Sequence, residues 1–83
     1  MNVTLKLYAM LSDYLPPDAR NNRVQVELGD DATVGGLIDR CNLPPRLTHL
    51  VLLNGTYVAP AARASTTLRD GDTVAIWPPI AGG

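Results

Sequence analysis

Apolar residues repeat with a period of two at both ends of this 83-residue chain, and only one stretch between them repeats at helical spacing. Near the start, Val3, Leu5 and Leu7 alternate with Thr4, Lys6 and Tyr8. That is the signature of a strand with one face covered and the other in contact with water. Val24, Val26 and Leu28 alternate in the same way with Gln25 and Glu27. Near the end, Val74 and Ile76 turn inward while Ala75 and Trp77 turn outward. Between these segments, Val34, Leu37, Ile38 and Cys41 recur at helical spacing behind Thr33, a plausible N-cap.

Punctuation fixes the remaining elements. Met10 to Leu15 is read as a short helical turn closed by Pro16-Pro17, and Asp18 to Asn22 as a polar loop. Gly35-Gly36 weakens the helix and is expected to let it approach the sheet closely. Pro44-Pro45 is expected to stop the helix. The apolar run Leu50 to Leu53 suits a buried central strand. Asn54-Gly55 is a tight-turn signal, and Tyr57-Val58 begins a short return strand. Ala59 to Thr67 reads as small and irregular, and Leu68 as a core anchor before the turn Asp70-Gly71-Asp72. The order strand, strand, helix, strand, short strand, strand predicts an α+β fold. It is a β-grasp, the ubiquitin topology: a mixed sheet with one main helix packed across it, first and last strands parallel neighbours. Residues 1–83 form one domain, with 78–83 as a flexible functional C-terminal tail.

Composition narrows the function. A domain of this length builds one modest core, with little room for a deep enzyme cleft. Seven Lys/Arg against eight Asp/Glu give a net charge of −1, so no basic excess exists to neutralise phosphates, and nucleic acid is not an expected partner. No apolar stretch approaches membrane-spanning length, and the alternating start is unlike a signal peptide. A single cysteine fits a reducing compartment, so a cytoplasmic location is expected.

Candidate chemistry is sparse in the body. His49 is the lone histidine, with no second histidine or motif carboxylate to make a triad or a metal site. Cys41 reads as a small core residue. Asp70 and Asp72 read as turn formers, and Arg63 and Arg69 as solvated arginines available to an acidic partner. The ending is different. Pro78 and Pro79 fix φ at the base of a segment, Ile80 and Ala81 follow, and Gly82 and Gly83 have no Cβ. Six residues from Pro78 to Gly83 span at most roughly 20 Å when extended. A rigid base and a slim tip suit an arm inserted into another protein's active site.

The stretch from Leu53 through Asn54-Gly55, the turn Asp70-Gly71-Asp72 and the ending Pro78-Pro79-Ile80-Ala81-Gly82-Gly83 together resemble the MoaD/ThiS family of sulfur carriers. The resemblance is specific over the last thirty or so residues and matches in pattern before them. It implies a carrier and not an enzyme. An adenylating enzyme of the ubiquitin-activating type, using ATP and Mg²⁺, would turn the Gly83 carboxylate into an acyl-adenylate. A sulfur-donor enzyme would convert it to a thiocarboxylate, and an acceptor enzyme would take the sulfur. No cofactor or metal is expected on the chain itself. Pro-Pro-x-x-Gly-Gly is more similar to the small subunit of molybdopterin synthase than to thiamine-pathway carriers, which implies the large synthase subunit as acceptor. Carriers for thiamine, thiolated tRNA or cysteine synthesis share the same tail logic. Two other readings stay open: a ubiquitin-like modifier conjugated through Gly83, and an interaction module with an inert tail.

Strand phase also groups aromatic residues. Tyr8 and Trp77 fall on the face away from the core, near the root of the tail, and Tyr57 is a candidate to join them. Tyr and Trp are enriched where proteins bind one another, and the resemblance implies partner contact at these positions.

Overall fold

The computed structural model describes residues 1–79. Five strands form one sheet in the order β2-β1-β5-β3-β4: β1 (Asn2–Leu7), β2 (Arg23–Glu27), β3 (Leu50–Leu53), β4 (Thr56–Tyr57) and β5 (Thr73–Trp77). β1 runs antiparallel to β2 and parallel to β5, and β3 runs antiparallel to both β5 and β4. A single helix, α1 (Val34–Arg40), lies across the inner face. This is the expected β-grasp, including the parallel neighbours at its centre.

The alternation is explained by what covers the sheet. Val3, Leu5, Leu7, Val51, Val74 and Ile76 are fully buried, and they meet Val34 and Leu37 of α1. Burying one such aliphatic side chain contributes about 1.5–3 kcal/mol. A one-residue slip of β1 or β5 would exchange these residues for Lys6, Tyr8 or Trp77, so the register is strongly specified.

The helix begins as expected, with the Gly36 amide donating to Thr33 Oγ1 at 3.1 Å. Its end differs from the expectation. α1 stops at Arg40, before Pro44-Pro45, because Asn42 takes a left-handed conformation with φ 58°. The Asn42 amide donates to the Asp39 carbonyl at 3.0 Å and the Leu43 amide to the Ile38 carbonyl at 3.2 Å. That pair of bonds is a Schellman cap, and buried Leu43 and Ile38 supply its apolar side.

Four further readings change. Pro60–Ser65 is a 3-10 helix, not an irregular stretch; Ala9–Tyr14 is one as well, in keeping with the helical turn expected from Met10 to Leu15. Gly35 admits that 3-10 helix and not the sheet: a Cβ there would lie 3.2 Å from the Ala64 Cα. The polar loop before β2 contains a tight turn in which Arg20 and Arg23 exchange backbone hydrogen bonds at 3.0 and 3.2 Å. Its central residues Asn21 and Asn22 both have positive φ, the requirement of a type I′ turn. Finally, β3 is not buried on both faces. It lies between β5 and the two-residue edge strand β4, with Val51 inward and Leu50 exposed on the outer face. The central strand is β5.

The two glycine turns brace each other at one end of the sheet. Asn54 donates from Nδ2 to Asp72 Oδ1 at 2.9 Å, and its Oδ1 accepts from the Thr73 amide at 2.9 Å. Asp72 Oδ2 accepts from the Arg69 amide, and Asp70 Oδ1 from the Asn2 amide. The aspartates are turn formers, as their spacing suggests.

The two helical glycines are expected to respond differently to alanine. A Cβ on Gly36 meets only Thr33 Oγ1 at an ordinary 3.4 Å, whereas one on Gly35 meets backbone. Alanine gains up to about 1 kcal/mol of helix propensity at either site, and overpacking costs about 1–3 kcal/mol. Urea unfolding should therefore rank Gly36→Ala above Gly35→Ala by about 1 kcal/mol or more.

Candidate functional site

The register of the sheet composes its outer face. Successive pairings place Arg23, Lys6, Ala75, Leu52 and Tyr57 in one row across β2, β1, β5, β3 and β4. The next row toward the C-terminal end of β5 holds Trp77 paired with Leu50, with Tyr8 on the other side. The Tyr8 amide donates to the Ile76 carbonyl at 3.2 Å, extending the parallel ladder one residue past β1. That bond holds Tyr8 beside Trp77, and their rings stack with centroids 4.4 Å apart and planes within 2°. The face is apolar toward β3 and β4, and cationic where Lys6 and Arg23 stand opposite one another.

All three aromatic residues singled out from the sequence lie on this face. Tyr8 and Trp77 are half-buried through their mutual stack, and Tyr57 is 56% exposed. Sequence reasoning missed Leu50 and Leu52, which complete the patch, and Met10, which is 57% exposed at its margin. The alternation of β5 was the available signal: pairing β3 with it assigns Leu50 and Leu52 to the side of Trp77.

An open groove of about 480 Å³ lies at the end of this patch. Ala9 and Met10 form one wall, His49 and Leu50 the other, and Trp77 and Pro78 lie between them. Pro78 is buried and Pro79 exposed, so the base of the proposed arm is seated in the body. Ile80, Ala81, Gly82 and Gly83 lie outside the described residues. The wall next to His49 is fixed from behind. The His49 amide donates to the Trp77 carbonyl at 3.1 Å. Arg63 Nη1 donates to the Thr48 carbonyl at 2.8 Å, and its Nη2 to the His49 carbonyl at 3.2 Å. Arg63 is thus a structural tie and not a solvated arginine, and its Nε is buried with no partner among the described residues.

The remaining candidates behave as small structural groups. Cys41 is the C-cap of α1 and half-buried, and burial pushes its thiol above the ordinary value despite the nearby Arg40 charge. Among the described residues, no three His, Cys, Asp or Glu side chains gather where a metal ion could sit. No helix there is long and apolar enough to cross a membrane. What the site offers is an apolar and aromatic surface beside β5, the strand that precedes the C-terminal residues.

Comparison with known proteins gives the family and the fold. The model of the ThiS family matches residues 16–83. Among solved structures, SAMP1, a small archaeal modifier protein from Haloferax volcanii, is 28% identical over the whole of both chains, with a TM-score of 0.70. The thiamine biosynthesis protein ThiS from Geobacter metallireducens is 23% identical over the whole of both chains, with a TM-score of 0.67, and shares the fold. So does a chain from the complex of subunits 1 and 2 of the molybdopterin-converting factor from Helicobacter pylori, 17% identical over the whole of both chains with a TM-score of 0.61. No curated protein matches the chain in sequence.

Removing the Arg63 tie should be costly. Arg63→Met leaves the part-buried Thr48 carbonyl without its donor, while the exposed His49 carbonyl can turn to water, and a buried acceptor left unpaired costs about 1–3 kcal/mol. Arg69→Met, at an exposed site, should change stability by less than about 0.5 kcal/mol. Urea midpoints of the two variants test the contrast.

Proposed function

The chain belongs to the ThiS family, and from that premise we propose that it is a non-catalytic carrier whose reactive group is the carboxylate of Gly83. The observation that carries this reading is the ending Pro-Pro-Ile-Ala-Gly-Gly placed directly after β5. β5 is the central strand of the sheet, paired on both sides, so it gives the arm a fixed origin. A carboxylate is a poor electrophile. An activating enzyme with ATP and Mg²⁺ supplies a leaving group by making the acyl-adenylate. Sulfide-level sulfur from a donor enzyme displaces AMP and leaves a thiocarboxylate.

The body's part is recognition and placement. The stacked Tyr8 and Trp77, with Leu50, Leu52 and Tyr57, form the surface on which the activating and acceptor enzymes alternate. The groove beside Pro78 receives the rim of the partner as the arm enters its active site. The glycines let the last carbonyl pass through a channel too narrow for side chains. A cytoplasmic setting suits this chemistry, since an oxidising compartment would consume the thiocarboxylate.

The acceptor we favour is the large subunit of molybdopterin synthase, which places the chain in molybdenum cofactor biosynthesis. The pattern Pro-Pro-x-x-Gly-Gly supports that choice over thiamine, tRNA thiolation or cysteine synthesis. A second reading, a ubiquitin-like modifier joined to lysines through Gly83, is favoured by the 28% identity to SAMP1.

Intact mass of the protein from its native host separates the two. The carrier is expected as a species with one terminal oxygen replaced by sulfur, and the modifier as higher-mass conjugates. A chain that extends past Gly83 in the cell and is never trimmed would defeat both. Trp77→Ala is expected to fold and to weaken association with the activating enzyme by about 2 kcal/mol, roughly thirtyfold. Unchanged affinity in titration calorimetry would remove Trp77 from the interface.

A further inference from the structure

A chain that carries an activated acyl group is exposed to its own nucleophiles. Six of the seven cationic side chains here are arginine, and Lys6 is the single lysine. Guanidinium stays protonated and does not attack. The nucleophiles left are Lys6, Cys41, His49 and the amino group of Met1, and the fold treats them differently. Cys41 caps the helix on the inner side of the sheet, where half-burial keeps its thiolate scarce. Met1 donates from its amino group to the Leu28 carbonyl at 2.8 Å, at the end of β1 away from the tail. His49 stands near the tail, but an acyl-imidazole passes its acyl group on to water or to an amine and does not persist.

Lys6 is placed otherwise. It lies on the outer face beside Ala75, two residues before Tyr8, and faces the like charge of Arg23. Pro79 is four residues past Ala75, about 13 Å of extended chain. Ile80 to Gly83 adds at most about 14 Å, enough to fold back to the row of Lys6 and meet its four-carbon stem. Met1 lies five residues further down β1, about 17 Å beyond that reach.

Resting on the reading of Gly83 as the activated end, we infer that Lys6 is the one amine of the body that the chain's own tail can acylate. The neutral Nζ attacks the Gly83 carbonyl carbon. A C–N bond forms, the bond to AMP or to a thiol breaks, and the surplus proton goes to water. The product is a lactam joining Lys6 to Gly83, with the tail laid over the docking face. Lys6 shares its row with Leu52 and Tyr57, so a partner seated there covers it and withholds it from Gly83. An activated chain without a partner is retired by its own lysine instead of acylating bystanders.

The test uses the full chain with Gly83 converted chemically to a thioester, held dilute at mildly alkaline pH, where the neutral-amine fraction of a lysine grows. Intact mass should show a monomer lighter than the free acid by one water. Tryptic mapping should join the 1–20 peptide to the 70–83 peptide. Lys6→Arg should lower that product about tenfold or more, the advantage that proximity gives an intramolecular amine. Adding Arg69→Lys, which moves the single lysine to the turn beside Asn2, should not restore it. Hydrolysis alone, attachment at Met1, or equal yield from the relocated lysine would overturn the inference. Because activation is chemical, this outcome is independent of whether a thiocarboxylate exists in the native host.

Discussion

The parallel pairing of β1 with β5 is the constraint from which the rest of the molecule follows. Thr4, Leu5, Lys6 and Leu7 stand beside Thr73, Val74, Ala75 and Ile76. A parallel pair cannot be closed by a tight turn, so the chain between them must cross over, and the helix and β3–β4 hairpin are that crossing. Because the two strands run together, they end together. The last residues of β5 therefore depart beside Tyr8 and far from Met1. The aromatic stack, the groove and the base of the tail are all consequences of this one ladder. It is held at its start by the Thr4 amide bonded to the Asp72 carbonyl, and at its end by Tyr8 bonded to Ile76.

The glycine turns gain a physical meaning from the same ladder. Asn54-Gly55 and Asp70-Gly71-Asp72 lie at the end of the sheet opposite the tail and lash β3 to β5 through one asparagine side chain. These motifs carry part of the family resemblance, yet they touch no candidate chemistry. They set where β5 begins, and hence the phase that turns Trp77 outward.

What could be read in advance depended on whether a local pattern decided the outcome. β1, β2 and β5 were legible because one face is covered and the other wet, and the parity of Tyr8 and Trp77 followed directly. Thr33 announced itself as a cap. By contrast, four consecutive aliphatic residues in β3 conceal which side faces out, and only the pairing with β5 resolves it. The 3-10 helix Pro60–Ser65 is too short and too rich in alanine to show a period. Asn42, which ends the helix, was overshadowed by the prolines that follow it. Arg63 looked solvated because its acceptors come from Thr48 and His49, about fifteen residues away in sequence. The reading of Ile80 to Gly83 rests on residue chemistry, since these lie outside the described part of the structure.

The two margins of the sheet have a consequence for life at high concentration. At one margin, Arg20 already satisfies the outward backbone groups of Arg23, and Glu27 puts a charge at the far end of β2. At the other, β4 is two residues long and Pro60 follows closely. A foreign strand finds only a short run of free backbone to template on at either side. The exposed aromatic and leucine side chains thus stand on the face of the sheet, where contact runs through side chains, and away from the strand edges, where it would run through backbone.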